Sequence, residues 1–222
     1  MKTTFKRSLP TLLLAIAAIA TGTALATLSG CASQAGVTTL YDFGPLPGAA
    51  GSGAPAAAVN PASAPGLPAL VVADVTGPAW LDTQRMHYRL LYSDAQQSRP
   101  YANNRWNSTP LQLLSQRLKS RIAQSGIKVL SGSDAAASTT LLRVEVDDFS
   151  QNFDSQTRSS GQLTLRASLL RGHRLLDQRT FSRNTAAASA DALGGAKALA
   201  ASSDAVAADI IAWLGTLTLP KE

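Results

Sequence analysis

Apolar and polar residues alternate most regularly in the second half of the chain. Leu142, Val144 and Val146 take turns with Arg143, Glu145 and Asp147, and Leu163, Leu165, Ala167 and Leu169 with Gln162, Thr164, Arg166 and Ser168. A period of two places each set on one face of a strand. With a third strand from Leu175 through Phe181, after an Arg171-Gly172-His173 turn, they predict an antiparallel meander with one wet face. Upstream, Thr39 to Gly44 alternates and reads as a first strand. Leu70 to Val75 is an apolar run closed by Gly77-Pro78, Met86 to Tyr92 is rich in strand formers, and Ile127 to Leu130 is a short strand. Between Tyr92 and Tyr101 the pattern lapses into a polar loop, and Tyr101 to Trp106 leads straight into a helix.

That helix is marked by a change of period. Leu111, Leu114, Leu118 and Ile122 recur at steps of three and four, behind an N-cap at Thr109 or Ser108 and a first-turn Pro110. Gln112, Gln116, Arg117, Lys119 and Arg121 fall on its other faces, and Gly126 stops it. A second helix runs from Ala190 to Trp213, with Leu193, Ala196, Leu199, Val206, Ile210 and Trp213 near helical spacing, Asp209 outward and Gly215 at its end. Gly194-Gly195 loosens its first turns by about 1 kcal/mol per glycine relative to alanine. Two helices with one apolar stripe each, and a sheet with one apolar face, satisfy each other by stacking. The expected fold is α+β: a two-layer domain, mainly antiparallel sheet with two helices packed on one face.

The composition changes twice. Leu46 to Pro68 is dominated by Pro, Gly, Ala and Ser and carries no charge, which predicts a flexible spacer at 46–68. The N-terminus carries Lys2, Lys6 and Arg7, an apolar run from Leu9 to Ala20, and small residues up to Cys31, the chain's one cysteine. This is the order of a bacterial secretory signal. As a membrane span the run falls short, since Pro10, Thr21, Gly22 and Thr23 interrupt it and a spanning helix needs about 20 mostly apolar residues. Ordinary cleavage after an alanine such as Ala26 would leave an unpaired thiol in an oxidising compartment.

Leu28-Ser29-Gly30-Cys31 resembles the lipobox of bacterial lipoproteins. The resemblance implies cleavage before Cys31, which becomes the lipid attachment site, with S-diacylglycerol on the thiol and an N-acyl chain on the new amino end. Ala32 stands where inner-membrane lipoproteins typically carry Asp, so the implied address is the periplasmic face of the outer membrane. The expected organisation is a signal peptide at 1–30, a tether at 31–38 and a domain at 39–219. Removing Lys2, Lys6 and Arg7 with the signal lowers the formal charge from +6 to +3, weak evidence for any partner and none for nucleic acid.

Catalytic and cofactor signatures are missing from the sequence. With the single thiol assigned to lipid there is no CxxC pair, and His87 and His173 are too few and too far apart to suggest zinc. Asp147 and Asp148 are adjacent on a strand and point to opposite faces, so they form no facing acid pair. No Gly-x-Ser-x-Gly elbow or phosphate loop occurs. Gly194-Gly195 before a helix is a weak anion-binding signal. Trp106 and Trp213 are expected in the core, Trp80 at the surface, and His87 on the solvated face.

The order of several stretches resembles the ABC-type transport auxiliary lipoprotein family, the PqiC-like proteins. They are Tyr41-Asp42-Phe43-Gly44-Pro45, Ala79-Trp80-Leu81-Asp82, Met86-His87-Tyr88-Arg89, Tyr101 to Trp106 before Thr109-Pro110-Leu111, Leu142 to Phe149, and Ile210-Ile211-Ala212-Trp213-Leu214. Residues 46–68 depart from that pattern. The resemblance implies a non-enzymatic lipoprotein without metal or cofactor, serving an MCE-domain protein and its permease/ATPase complex in moving phospholipids between the two membranes. A homo-oligomer fits that setting. The alternative is a lipoprotein of envelope integrity or outer-membrane biogenesis that binds protein or cell-wall partners.

Overall fold

The computed structural model describes residues 36–48, 69–130 and 139–217. From Thr38 on, the described residues form one compact unit. In chain order its described elements are β1 (Thr39–Tyr41), β2 (Leu70–Val72), a 3-10 turn (Ala79–Leu81), β3 (Arg85–Leu90), β4 (Asp94–Trp106), α1 (Pro110–Gln124), β5 (Val129–Leu130), β6 (Thr140–Ser155), β7 (Arg158–Arg171), β8 (Arg174–Ala186) and α2 (Ala192–Thr216). The fold is α+β, with both helices on the apolar face of one mixed sheet.

Strand β6 is the spine. It pairs antiparallel with β7 along nearly its whole length, and β7 with β8, which is the meander that the alternation predicts. On its other edge β6 serves two partners in succession. Thr140–Leu142 takes β2 in parallel, and Gln151–Phe153 takes β3, so the sheet forks. β5 joins the β2 arm; β4 and then β1 join the β3 arm. The long pairings are antiparallel and the short ones parallel.

Leu142, Val144 and Val146 on β6, and Leu163, Leu165, Ala167 and Leu169 on β7, are buried under the helices with Leu114, Leu118, Ile122, Val206, Ile210 and Leu214. Trp106 sits among them at 1% exposure, edge-on to Phe43 and tilted against Phe149. Trp213 packs on Phe181 and donates its indole N–H to Asp177 Oδ2 at 2.8 Å. The opposite face is polar and carries no helix among the described residues: Gln162 and Thr164 bond Ser182, Gln178 bonds Ser168, and Arg166 pairs with Glu145.

Several elements differ from expectation. The polar loop before Tyr101 is the first half of β4, which turns back from Ser93 and pairs with β3. Its side chains are exposed on both faces, so nothing selects for alternation, and Pro100 is accommodated where the β3–β4 register shifts. The first strand is shorter than Thr39 to Gly44. Pairing stops at Tyr41, after which Phe43 turns into the core and Gly44 takes φ +66°. Leu70 to Val75 is likewise a strand only through Val72, resuming as a single bridge from Thr76 to Glu145.

Helix α1 begins and stops as predicted, with Thr109 Oγ1 accepting from the Gln112 N–H and Gly126 at φ +88°. Its buried stripe is wider than one row, however. Leu113, Ser115 and Arg117 are buried beside Leu114, Leu118 and Ile122, while Leu111 is only half-buried. In α2 the Gly194-Gly195 pair is no loose start. A Cβ at Gly195 would lie 2.0 Å from Gln151 Oε1, so glycine is what lets the helix seat on β6. Across that contact Gly161 of β7 faces the Ala198–Leu199 backbone, where a Cβ would come within 2.6 Å. The alanine-rich composition of α2 is thus a close-packing device. Leu193 leaves the stripe and is exposed, and the helix runs past Gly215 to Thr216.

Candidate functional site

The lipid site expected at Cys31 lies outside the described residues, as does the spacer expected at 46–68 apart from its first three residues. The described part of the chain begins at Gly36, three residues before the three-residue edge strand β1. Past Tyr41 the backbone runs into a cleft between the helices, where Arg117 receives it. The guanidinium donates to Gly44 O at 3.0 Å and Phe43 O at 3.3 Å, and forks onto Asp204 of α2 with two bonds of 2.8 Å. Arg117 is 7% exposed and Asp204 17%. One side chain therefore ties α1, α2 and the entering segment together. Arg121 adds a second, looser contact to Asp204 at 3.6 Å.

A groove of about 550 Å³ opens beside this pair, with Leu40 and Tyr41 on one wall and Leu193, Ala196, Lys197 and Ala200 of α2 on the other. On its far side a second hollow of about 450 Å³ runs from Leu46 and Asn107 to Gln116 and Ser120 of α1. The acid at the mouth is occupied: Asp42 accepts from the Gly44 N–H at 2.7 Å and from Asn107 at 3.3 Å.

Next to the groove, Gln151 of β6 is buried and fully engaged. Its Oε1 accepts from the Tyr101 hydroxyl at 2.9 Å, and its Nε2 donates to Ser159 Oγ at 2.8 Å and Asp191 O at 3.0 Å. Burial, with Tyr88 and Asp191 nearby, drives the Tyr101 hydroxyl pKa well upward, so it stays protonated as the donor. Tyr101 also packs on Tyr88, which meets Phe153 edge-on.

The remaining candidates resolve into structural roles. Asp191 caps α2 by accepting from the Gly194 N–H, and the Gly195 N–H returns to Asp191 O, so both amides of the glycine pair are taken internally. Asp147 is exposed near Arg166, whereas Asp148 is half-buried with Ser150 donating to it; burial raises its pKa, the Ser150 bond and Arg89 opposing. His87 is half-buried against Trp80 with Nδ1 beside Ser98 Oγ, and burial, then Arg85 and Arg89, lower its pKa. Trp80 is half-buried on the core's flank rather than free. Asp209 faces outward and pairs with Arg183. Among the described residues no group of three His, Cys, Asp or Glu is placed to hold a metal.

Sequence reasoning missed Arg117 and Asp204. The available signal was spacing: Pro110, Leu113, Arg117 and Arg121 form a second row beside Leu114, Leu118 and Ile122.

The α+β fold is shared with solved structures. A protein of Xanthomonas campestris, XCC0632, matches with a TM-score of 0.58 and 21% identity over 66% of this chain and 83% of its own. An uncharacterised protein matches with a TM-score of 0.56 and 20% identity over 66% of this chain and 92% of its own. Among curated proteins none matches. The family model for the ABC-type transport auxiliary lipoprotein component matches residues 52–211. The chain belongs to that family, a family of transport auxiliary lipoproteins and not of enzymes.

Proposed function

We propose that the chain is a non-enzymatic lipoprotein, acylated at Cys31 and held at the periplasmic face of the outer membrane. There it serves as the auxiliary component of an ABC-type, MCE-linked system that moves phospholipid between the inner and outer membranes. Family membership over 52–211, joined to the Leu28-Ser29-Gly30-Cys31 sequence, is the observation that carries this reading. Two or more acyl chains make a stable anchor, each buried CH₂ contributing about 0.8 kcal/mol. Such an anchor leaves the domain free to work through its surfaces. Among the described residues β8 pairs only with β7, so its outer edge and the polar face of β6, β7 and β8 are surfaces a partner could use. Neither needs bond-making chemistry.

Affinity purification from detergent-solubilised envelopes tests the partner. Recovery of an MCE-domain protein with its permease and ATPase is the expected result. Recovery of peptidoglycan or outer-membrane assembly proteins alone would favour the envelope-integrity alternative. Radiolabelled palmitate tests the anchor: Cys31→Ser is expected to lose both label and membrane fractionation.

A further inference from the structure

Two large apolar side chains beside the point where the chain enters the domain are about half exposed. Leu40 is 59% exposed and Leu193 45%, and they stand on opposite walls of the same 550 Å³ groove. Lys197, one turn beyond Leu193 on the same side of α2, is exposed at the lip. The acids there are engaged, Asp42 by Gly44 and Asn107, Asp204 by Arg117, and Asp191 by Gly194 and Ser189, so that Lys197 feels Asp191 only at a distance and forms no ion pair among the described residues. An apolar pair with an adjacent cation matches the boundary layer of a phospholipid bilayer, where acyl chains meet anionic headgroups.

Chain length says which surface this groove meets. Cys31 and Thr39 are eight residues apart, which spans at most about 29 Å however the chain is arranged. A domain of this size has a radius of gyration of about 16 Å, hence a diameter of roughly 40 Å. A lipid-held Cys31 cannot be farther from the first strand than that short leash allows, so β1 and the groove it walls are kept next to the bilayer.

We infer that Leu40, Leu193 and Lys197 form a docking surface for the phospholipid layer that holds the anchor, setting the domain's orientation and directing its polar sheet face away from the lipid. This rests on acylation at Cys31.

Hydroxyl-radical footprinting of the acylated protein tests it, on vesicles of phosphatidylethanolamine and phosphatidylglycerol (3:1), against the mature Cys31→Ser protein free in solution. Oxidation of Leu40 and Leu193 is expected to fall at least threefold on vesicles. Leu175, 51% exposed beside the other end of α2, should not change. The variant L40E/L193E/K197E alters only exposed positions. It is expected to keep its palmitate label and circular dichroism, yet show oxidation at Tyr41 that vesicles no longer suppress. Unchanged oxidation at Leu40 and Leu193 in a protein that carries palmitate and sediments with vesicles overturns the docking surface and leaves the anchor standing. A protein without palmitate, whose sedimentation Cys31→Ser does not alter, overturns the anchor instead. Loss of Leu40 oxidation on raising the concentration of vesicle-free protein would show a second copy on the patch and also overturn the proposal.

Discussion

Replacing Arg117 with alanine removes the one side chain that α1, α2 and the Phe43–Gly44 segment share. Its partner Asp204 is left largely out of water without a bidentate counter-charge, with only Arg121 at 3.6 Å for company. Breaking a buried ion pair from one side costs about 3–5 kcal/mol, because the surviving charge has lost its compensation. Asp204 keeps some contact with solvent, which argues for the lower end. The freed Phe43 carbonyl adds about 1 kcal/mol. In a domain of this size each kcal/mol moves Tm by about 2–4 °C, so a fall of about 8–15 °C is expected for R117A in the mature Cys31→Ser protein. Urea unfolding gives the free energy directly. R117K should recover only part of the loss, since an ammonium cannot fork onto Asp204 and reach two carbonyls together. The double variant R117M/D204L should come back to within about 1.5 kcal/mol of the parent, because it removes both charges. A loss below 1 kcal/mol for R117A would reduce the pair to an ordinary surface contact. Strict additivity in the double variant would refute the coupling.

Glycine 195 and glycine 215 should respond to alanine with opposite signs. A Cβ at Gly195 strikes the Gln151 amide, so G195A must displace Gln151 from Tyr101 and cost about 1–3 kcal/mol despite better helix propensity. Nothing lies within 4 Å at Gly215, so G215A should gain up to about 1 kcal/mol; urea midpoints read both. Burial raises the Asp148 pKa, so below its ordinary value the carboxyl is protonated in both states at no cost. Above its folded value, ionisation works against the fold. D148N is therefore expected to stabilise the protein at pH 7, with the gain vanishing as pH drops below the ordinary carboxylate range in Tm-versus-pH curves. Asp177 has the opposite sign. The Trp213 N–H, then the Gln178 N–H, lower its pKa, so its contribution is complete above the ordinary value and lost as pH falls toward the folded one. W213F should flatten that acid limb.

The meander and both helices were legible because each buries one face of a regular period, and burial writes itself into the sequence as alternation or as steps of three and four. Strand β4 was not, because its first half buries neither face, and a strand defined only by backbone pairing leaves no mark on its side chains. Arg117 was hidden for the converse reason. A charged residue in an apolar stripe looks like a solvent position until its counter-charge is found, and Asp204 lies 87 residues away on another helix. The glycine pair shows the same limit from the packing side. Propensity alone makes Gly194-Gly195 a weak start, yet Gly195 is what allows α2 to approach β6 closely enough for Gln151 to reach Tyr101, Ser159 and the Asp191 carbonyl. Local rules therefore recovered the elements, while the contacts that decide how the N-terminal strand is held depend on pairs distant in sequence. Those contacts join the segment after β1 to both helices, so a pull on the chain where it enters the domain is coupled to the domain's stability. Loosening Arg117 should consequently release β1 before the meander unfolds, with amide exchange at Tyr41–Gly44 rising ahead of exchange in β6 and β7; simultaneous exchange across all three would refute that order.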